Sequence, residues 1–159
     1  MKFKASLLVV RDAQASKRFY QDMMHAEVML DLGDYVYFRD GFCLQQEETW
    51  LEFIGEENGP VVYGGRAGEL FFEEDDIDAF LEHFSSFPDI KVLNPLREYP
   101  WGQRAMRFYD PDGHVVEVGE SMEVVVKRYL KAGDSVEEVA RKSMFPVSFV
   151  EMCLAEMKE

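Results

Sequence analysis

An approximate internal repeat constrains this chain more than any other feature. Residues 7–10 form a short β-branched run that reads as a buried strand. Asp12 is a suitable helix cap, and a helix is predicted over 13–24 with Ala15, Phe19 and Met23 as its apolar stripe. Residues 28–32, 35–39 and 42–46 then read as three strands, separated by the turn pairs Gly33-Asp34 and Asp40-Gly41. The same order returns later. Residues 70–72 read as a strand, Asp75 or Asp76 caps a helix over 77–84, and 91–93 opens another strand. Residues 104–109 and 114–120 follow, joined by Asp110-Pro111-Asp112-Gly113, in which proline presets one φ and glycine supplies a positive one. Asp12 matches Asp76, and Asp40-Gly41-Phe42-Cys43-Leu44-Gln45 aligns with Asp112-Gly113-His114-Val115-Val116-Glu117. Two β-α-β-β-β modules are therefore expected.

Charge narrows the partners. The 159 residues include 31 acidic and 17 basic side chains, a net charge of −14. Such a surface repels phosphate backbones and anionic membranes, so neither nucleic acid nor a membrane is an expected partner. A cationic or neutral small organic molecule suits it better. The apolar run over 5–10 is too short for a signal core, and no stretch approaches the ~20 apolar residues of a membrane span. Cys43 and Cys153 have neither disulfide-framework nor metal-clip spacing, and read as thiols in a reducing compartment. A cytoplasmic protein is expected.

Residues 47–65 change in texture, with Gly55, Gly59, Pro60, Gly64 and Gly65 among acids. They read as the connection between modules, with one helical turn around 50–54, and Gly64-Gly65 is too short for a phosphate loop. The tail reads as three helices: 124–130 stopped by Gly133, 136–142 capped by Asp134 or Ser135, and 149–157 capped by Ser148 after the break at Pro146. Its acids and bases balance, so it lacks the basic face of a helix-turn-helix DNA reader. It reads as an appendage covering a sheet edge or a partner subunit. The expected organisation is one domain over 1–120, with modules at about 1–47 and 66–120, and a helical extension over 121–159.

The paired modules, the stretch Trp101-Gly102-Gln103-Arg104 and above all the run Arg107-Phe108-Tyr109-Asp110-Pro111-Asp112-Gly113-His114-Val115-Val116-Glu117 resemble the vicinal oxygen chelate superfamily, which includes the glyoxalases, bleomycin-resistance proteins and extradiol dioxygenases. The resemblance covers residues 1–120. It implies an α+β fold in which each βαβββ module curls into half of an open barrel around a central cavity. It also implies four metal-ligand positions, usually His and Glu, which fall here on Ala5, Gln45, Glu69 and Glu117. Alanine has no donor, and two carboxylates with an amide suit a hard cation such as Mg²⁺ better than zinc. No metal and no cofactor is the expectation.

Two functions compete under this resemblance. One is a metal-free protein that binds a small molecule, as resistance proteins do. The other is a metal-dependent lyase or isomerase acting on an α-hydroxycarbonyl-type substrate, with Glu117 as general base. A third class is an interaction module whose working surface is the tail. Candidate ligand contacts are Gln45, Glu69, Arg107, Glu117, Trp101, Tyr37 and Trp50. Arg107 lies across the turn from Glu117 and is its nearest cationic partner, with Arg104 as the alternative. Trp101 sits in a Pro-Trp-Gly loop, and Trp50 either faces a ligand or packs under its own loop. His25, His83 and His114 miss the ligand positions and read as structural or surface residues. Each half-barrel leaves a sheet edge to cover, so a homodimer is expected.

Overall fold

The computed structural model describes residues 1–158 and divides the chain into two compact units. The first comprises Met1–Glu69, Asp89–Lys91 and Tyr109–Val115; the second comprises Leu70–Pro88, Val92–Phe108 and the chain from Val116 through the C-terminal helices. Both repeats are present as four-stranded sheets, and neither sheet closes into a barrel.

In the first unit the elements run β1 (Ser6–Val10), α1 (Ala13–Met24), β2 (Val28–Asp31), β3 (Tyr35–Phe38), β4 (Phe42–Gln46) and α2 (Glu47–Ile54), with sheet order β1-β4-β3-β2. β1 pairs parallel with β4, and the hairpin neighbours are antiparallel. Asp12 caps α1, its Oδ1 accepting from the amides of Gln14 and Ala15 at 3.0 and 2.8 Å. The buried face of α1 is Ala13, Ser16, Tyr20 and Met23, rotated from the expected Ala15–Phe19–Met23 stripe. Tyr20 causes the rotation. Its ring packs on Phe38 and Phe42 with centroids 5.9 and 5.1 Å away, and its hydroxyl donates to buried Asp110 at 2.9 Å. A tyrosine with a partner for its hydroxyl buries better than a phenylalanine one position earlier. β1 is an edge strand in which only Val10 is fully buried, rather than the buried strand expected. Residues 47–54 form two helical turns instead of one.

In the second unit the order is β5 (Glu69–Glu74), α3 (Ile77–Phe84), β6 (Val92–Glu98), β7 (Arg104–Tyr109) and β8 (Val115–Glu120), with sheet order β5-β8-β7-β6. Asp76 caps α3 through the amide of Ala79 at 3.0 Å, so the two repeats share their helix start. β6 runs past Pro95, where the sequence pattern stops at residue 93. It is an edge strand, and its register with β7 slips between Asn94 and Arg97, so the missing proline N–H costs no ladder bond. Phe80 and Phe84 of α3 pack on Phe108, which places Phe108 and its alternates on the helix-covered face of the sheet.

Three helices complete the second unit: α4 (Met122–Lys131), α5 (Val136–Ser143) and α6 (Val147–Glu156). They share a core of Val126, Val139, Val150 and Cys153. Ser121 caps α4, and Ser135 and Glu138 form a capping box on α5. α6 begins directly after Pro146, whose fixed φ suits a helix entry, and not at a Ser148 cap. No helix among the described residues is long and apolar enough to cross a membrane.

Candidate functional site

Alternation along β7 and β8 sets up the site. Phe108, Met106 and Arg104 point to the α3 side, so Arg107 and Ala105 point to the other face. There Arg107 meets Glu117 of β8, whose buried Oε2 pairs with the guanidinium. Arg107 also donates through Nη1 to the hydroxyl of Tyr99. Tyr99 lies in the β6–β7 turn and stacks on Trp101, with centroids 5.0 Å apart and planes 22° apart. Arg97 sits 4.7 Å from the Tyr99 centroid and donates to the same hydroxyl at 3.1 Å. The result is a carboxylate held by a guanidinium, beside a flat aromatic pair.

The aromatic turn is held tightly. Tyr99 N donates to Gln103 O, and Gly102 N donates to Tyr99 O, both at 2.8 Å. Trp101 Nε1 donates to Gln103 Oε1 at 3.0 Å, and Gln103 Nε2 to Glu120 O at 2.7 Å. α4 braces it as well, because Arg128 Nη2 donates to Gly102 O. Arg128 and Arg104 both pair with Glu120 Oε1, at 2.7 and 2.8 Å, and Arg104 reaches Asp78 at 3.1 Å. Burial alone would raise the Glu120 pKa, but the two guanidinium partners and the Arg104 amide outweigh it and lower it. Arg104, the alternative partner for Glu117, is thus committed to the other face.

In the first unit the sheet face turned from α1 carries Tyr35, Tyr37, Cys43 and Gln45. Gln45 is buried and donates to Asp34 O at 3.2 Å. The Tyr35 hydroxyl is pushed up to about 12, by its hydrogen bond with Cys43 and by burial. Tyr37 is half-buried opposite Cys43, and Trp50 is half-buried on α2. Glu69 opens β5 and is exposed. Of the predicted residues, the structure brings together Arg107, Glu117 and Trp101 in the second unit, and within the first unit Tyr37 and Gln45 share one sheet face. Sequence reasoning missed Tyr99 and Arg97; an aromatic two residues before a loop tryptophan was the available clue.

The metal positions fail on chemistry. Ala5 has no side-chain donor, Gln45 offers only a neutral amide oxygen, and Glu117 is paired with a cation that would repel a second one. This donor set does not fit a transition-metal centre. Among the described residues, no three His, Cys, Asp or Glu side chains cluster to hold a metal ion.

Residues 3–123 match the glyoxalase-like domain family. Among solved structures, a protein of unknown function from Agrobacterium tumefaciens str. C58 is 39% identical, with a TM-score of 0.69 over 76% of this chain and 94% of that one. A lactoylglutathione lyase from Agrobacterium tumefaciens is 26% identical, with a TM-score of 0.59 over 76% of this chain and 93% of that one. A genomically encoded fosfomycin resistance protein from Listeria monocytogenes shares the fold at 17% identity, with a TM-score of 0.57 over 76% and 93% of the two chains. No curated protein matches the chain.

Proposed function

This chain belongs to the glyoxalase-like domain family, and we propose that within it the protein binds a small organic molecule and works without the family's usual metal centre. The pairing of Arg107 with Glu117 beside the Tyr99–Trp101 stack carries this reading. The guanidinium occupies the carboxylate at rest. A planar ligand with its own cationic or hydrogen-bonding head competes for Glu117, while its flat body stacks on the aromatic pair. Benzamidine has both parts and serves as the probe. Titration should quench tryptophan fluorescence saturably, and Glu117→Gln should weaken that response about tenfold or more while the far-ultraviolet circular dichroism of the folded protein is unchanged. A response that does not saturate, or one that Glu117→Gln leaves unchanged, rejects the reading. About one equivalent of zinc, nickel or iron in the purified protein rejects its metal-free part.

The likeness to a lactoylglutathione lyase favours a second reading, a lyase with Glu117 as general base. Ala5 and the arginine on Glu117 weigh against it. Lyase activity that appears only with added divalent metal, and vanishes in Glu117→Gln, would establish it instead.

A further inference from the structure

A cavity of about 640 Å³ in the first unit uses none of the residues of the proposed site. Its size falls within the roughly 300–1,000 Å³ of small-molecule sites. Phe19 and Tyr109 supply aromatic wall, and Arg66 and Lys91 supply charge. Lys91 Nζ stands 5.3 Å from the Tyr109 centroid, and Lys91 O accepts from Tyr109 N at 3.0 Å, so cation and ring are held together.

The acids of this cavity are mostly committed elsewhere. Asp110 accepts from the Tyr20 hydroxyl, the amides of Asp112 and His114, and the His114 ring, at 2.8 to 3.0 Å. Asp112 accepts from the Arg11 amide and guanidinium and from the Ser16 hydroxyl, at 2.9 to 3.1 Å. Both are buried, and only Asp89 is an exposed carboxylate. Among the described residues, neither Arg66 nor Lys91 has a carboxylate partner. Asp112 is offset by Arg11 and Asp110 lies against His114, which leaves Arg66 and Lys91 as cations of the cavity without a carboxylate partner and Asp89 as the acid that opposes them.

The walls need no ligand to form. A Cβ on Gly113 would lie 3.3 Å from Gly64 Cα, so the connection and the Asp-Pro-Asp-Gly turn touch backbone to backbone. Beside them the Tyr63 ring meets the His114 ring and the Arg11 guanidinium, at 6.2 and 3.8 Å.

We infer that this cavity is a second binding site, for a small planar organic anion whose carboxylate or sulfonate pairs with Arg66 and Lys91 and whose ring lies against Phe19 and Tyr109. Its charge preference is opposite to that of the Glu117 site, so the two separate experimentally. The probe is 1-naphthoate, with 1-naphthalenemethanol as its uncharged analogue, titrated into ¹⁵N-labelled protein. Saturable shifts are expected at the amides of Gly64, Lys91 and Gly113. The alcohol should bind about tenfold or more weakly. The double variant Arg66→Glu, Lys91→Glu should lose about tenfold or more, and Asp89→Asn should tighten binding. All three side chains are exposed, so these variants keep the fold. Glu117→Gln should leave naphthoate binding unchanged, whatever it does to benzamidine. Equal affinity for the alcohol, shifts confined to other segments, charge reversal without effect, or a loss in Glu117→Gln each overturn the inference.

Discussion

Single residues in this protein carry their chemistry through the partners that the fold sets against them. His114 is the clearest case. Burial opposes its charge, but its hydrogen bond to Asp110 at 2.8 Å and the charges of Asp110 and Asp112 outweigh this, and its pKa is raised from 6.5. A raised folded-state pKa contributes stability that is complete below the unfolded value and is lost as pH rises through the folded one. Urea unfolding at about pH 5.5 and about pH 8.5 should therefore show a difference that shrinks in His114→Gln; an unchanged difference would remove His114 as its source. Gly102 gives a steric prediction. Its φ is 86°, and an added Cβ would overlap the Tyr129 hydroxyl and sit 2.7 Å from the ring carbon behind it. Gly102→Ala should cost about 2–3 kcal/mol in chemical unfolding, and should weaken benzamidine binding by displacing the Tyr99–Trp101 stack. A thermal midpoint equal to that of the parent would show that α4 gives way instead.

At the scale of elements, α4 is joined to the sheet by charge as well as by its apolar face. Glu120 is buried and bridges Arg104 of β7 and Arg128 of α4. Removing one partner of a buried pair leaves uncompensated charge, typically at about 3–5 kcal/mol. Glu120→Ala should lower the unfolding free energy from urea titration by an amount in that range, whereas Lys142→Ala, which loses its surface pair with Asp134 and its place over the Tyr129 ring, should cost about 1 kcal/mol or less. Equal effects would mean that the α4–α6 core of Val126, Val139, Val150 and Cys153 supplies the attachment without help from Glu120. Because Arg128 also holds Gly102 O, the tail that lies mostly outside the matched family region bears on the aromatic turn of the site.

At the scale of the molecule, the first sheet ends on an apolar edge. β2 and the residue after it expose Met29, Leu30 and Leu32 at 51%, 45% and 64%. An unpaired edge with such side chains is a template for another copy, which supports the expected homodimer. Net charge of −14 per chain opposes that association, and salt screens it. Light scattering at micromolar concentration should give a dimer whose dissociation falls as salt rises, and Leu30→Lys should shift it toward monomer. A monomer at every salt concentration would contradict this assignment.

The local, repeated features were legible because they depend on near neighbours. Asp12 and Asp76 cap their helices, and the Asp-Pro-Asp-Gly turn and the bounds of β4, α3 and β7 follow from turn chemistry and hydrophobic period. Arg107 was readable as the nearest cation to Glu117 across that turn, with Arg104 as the alternative, and it is Arg107 that pairs. Contacts distant in sequence decided the rest. No pattern in 13–24 says that Tyr20 rather than Phe19 faces inward, because its anchor, Asp110, lies ninety residues on. β6 continues through Pro95 only because it is an edge strand with a register slip. Arg66 and Lys91 are unremarkable surface cations in sequence. They share a cavity in which Gly64 and Gly113, far apart in the chain, come so close that a Cβ on Gly113 would lie 3.3 Å from Gly64 Cα.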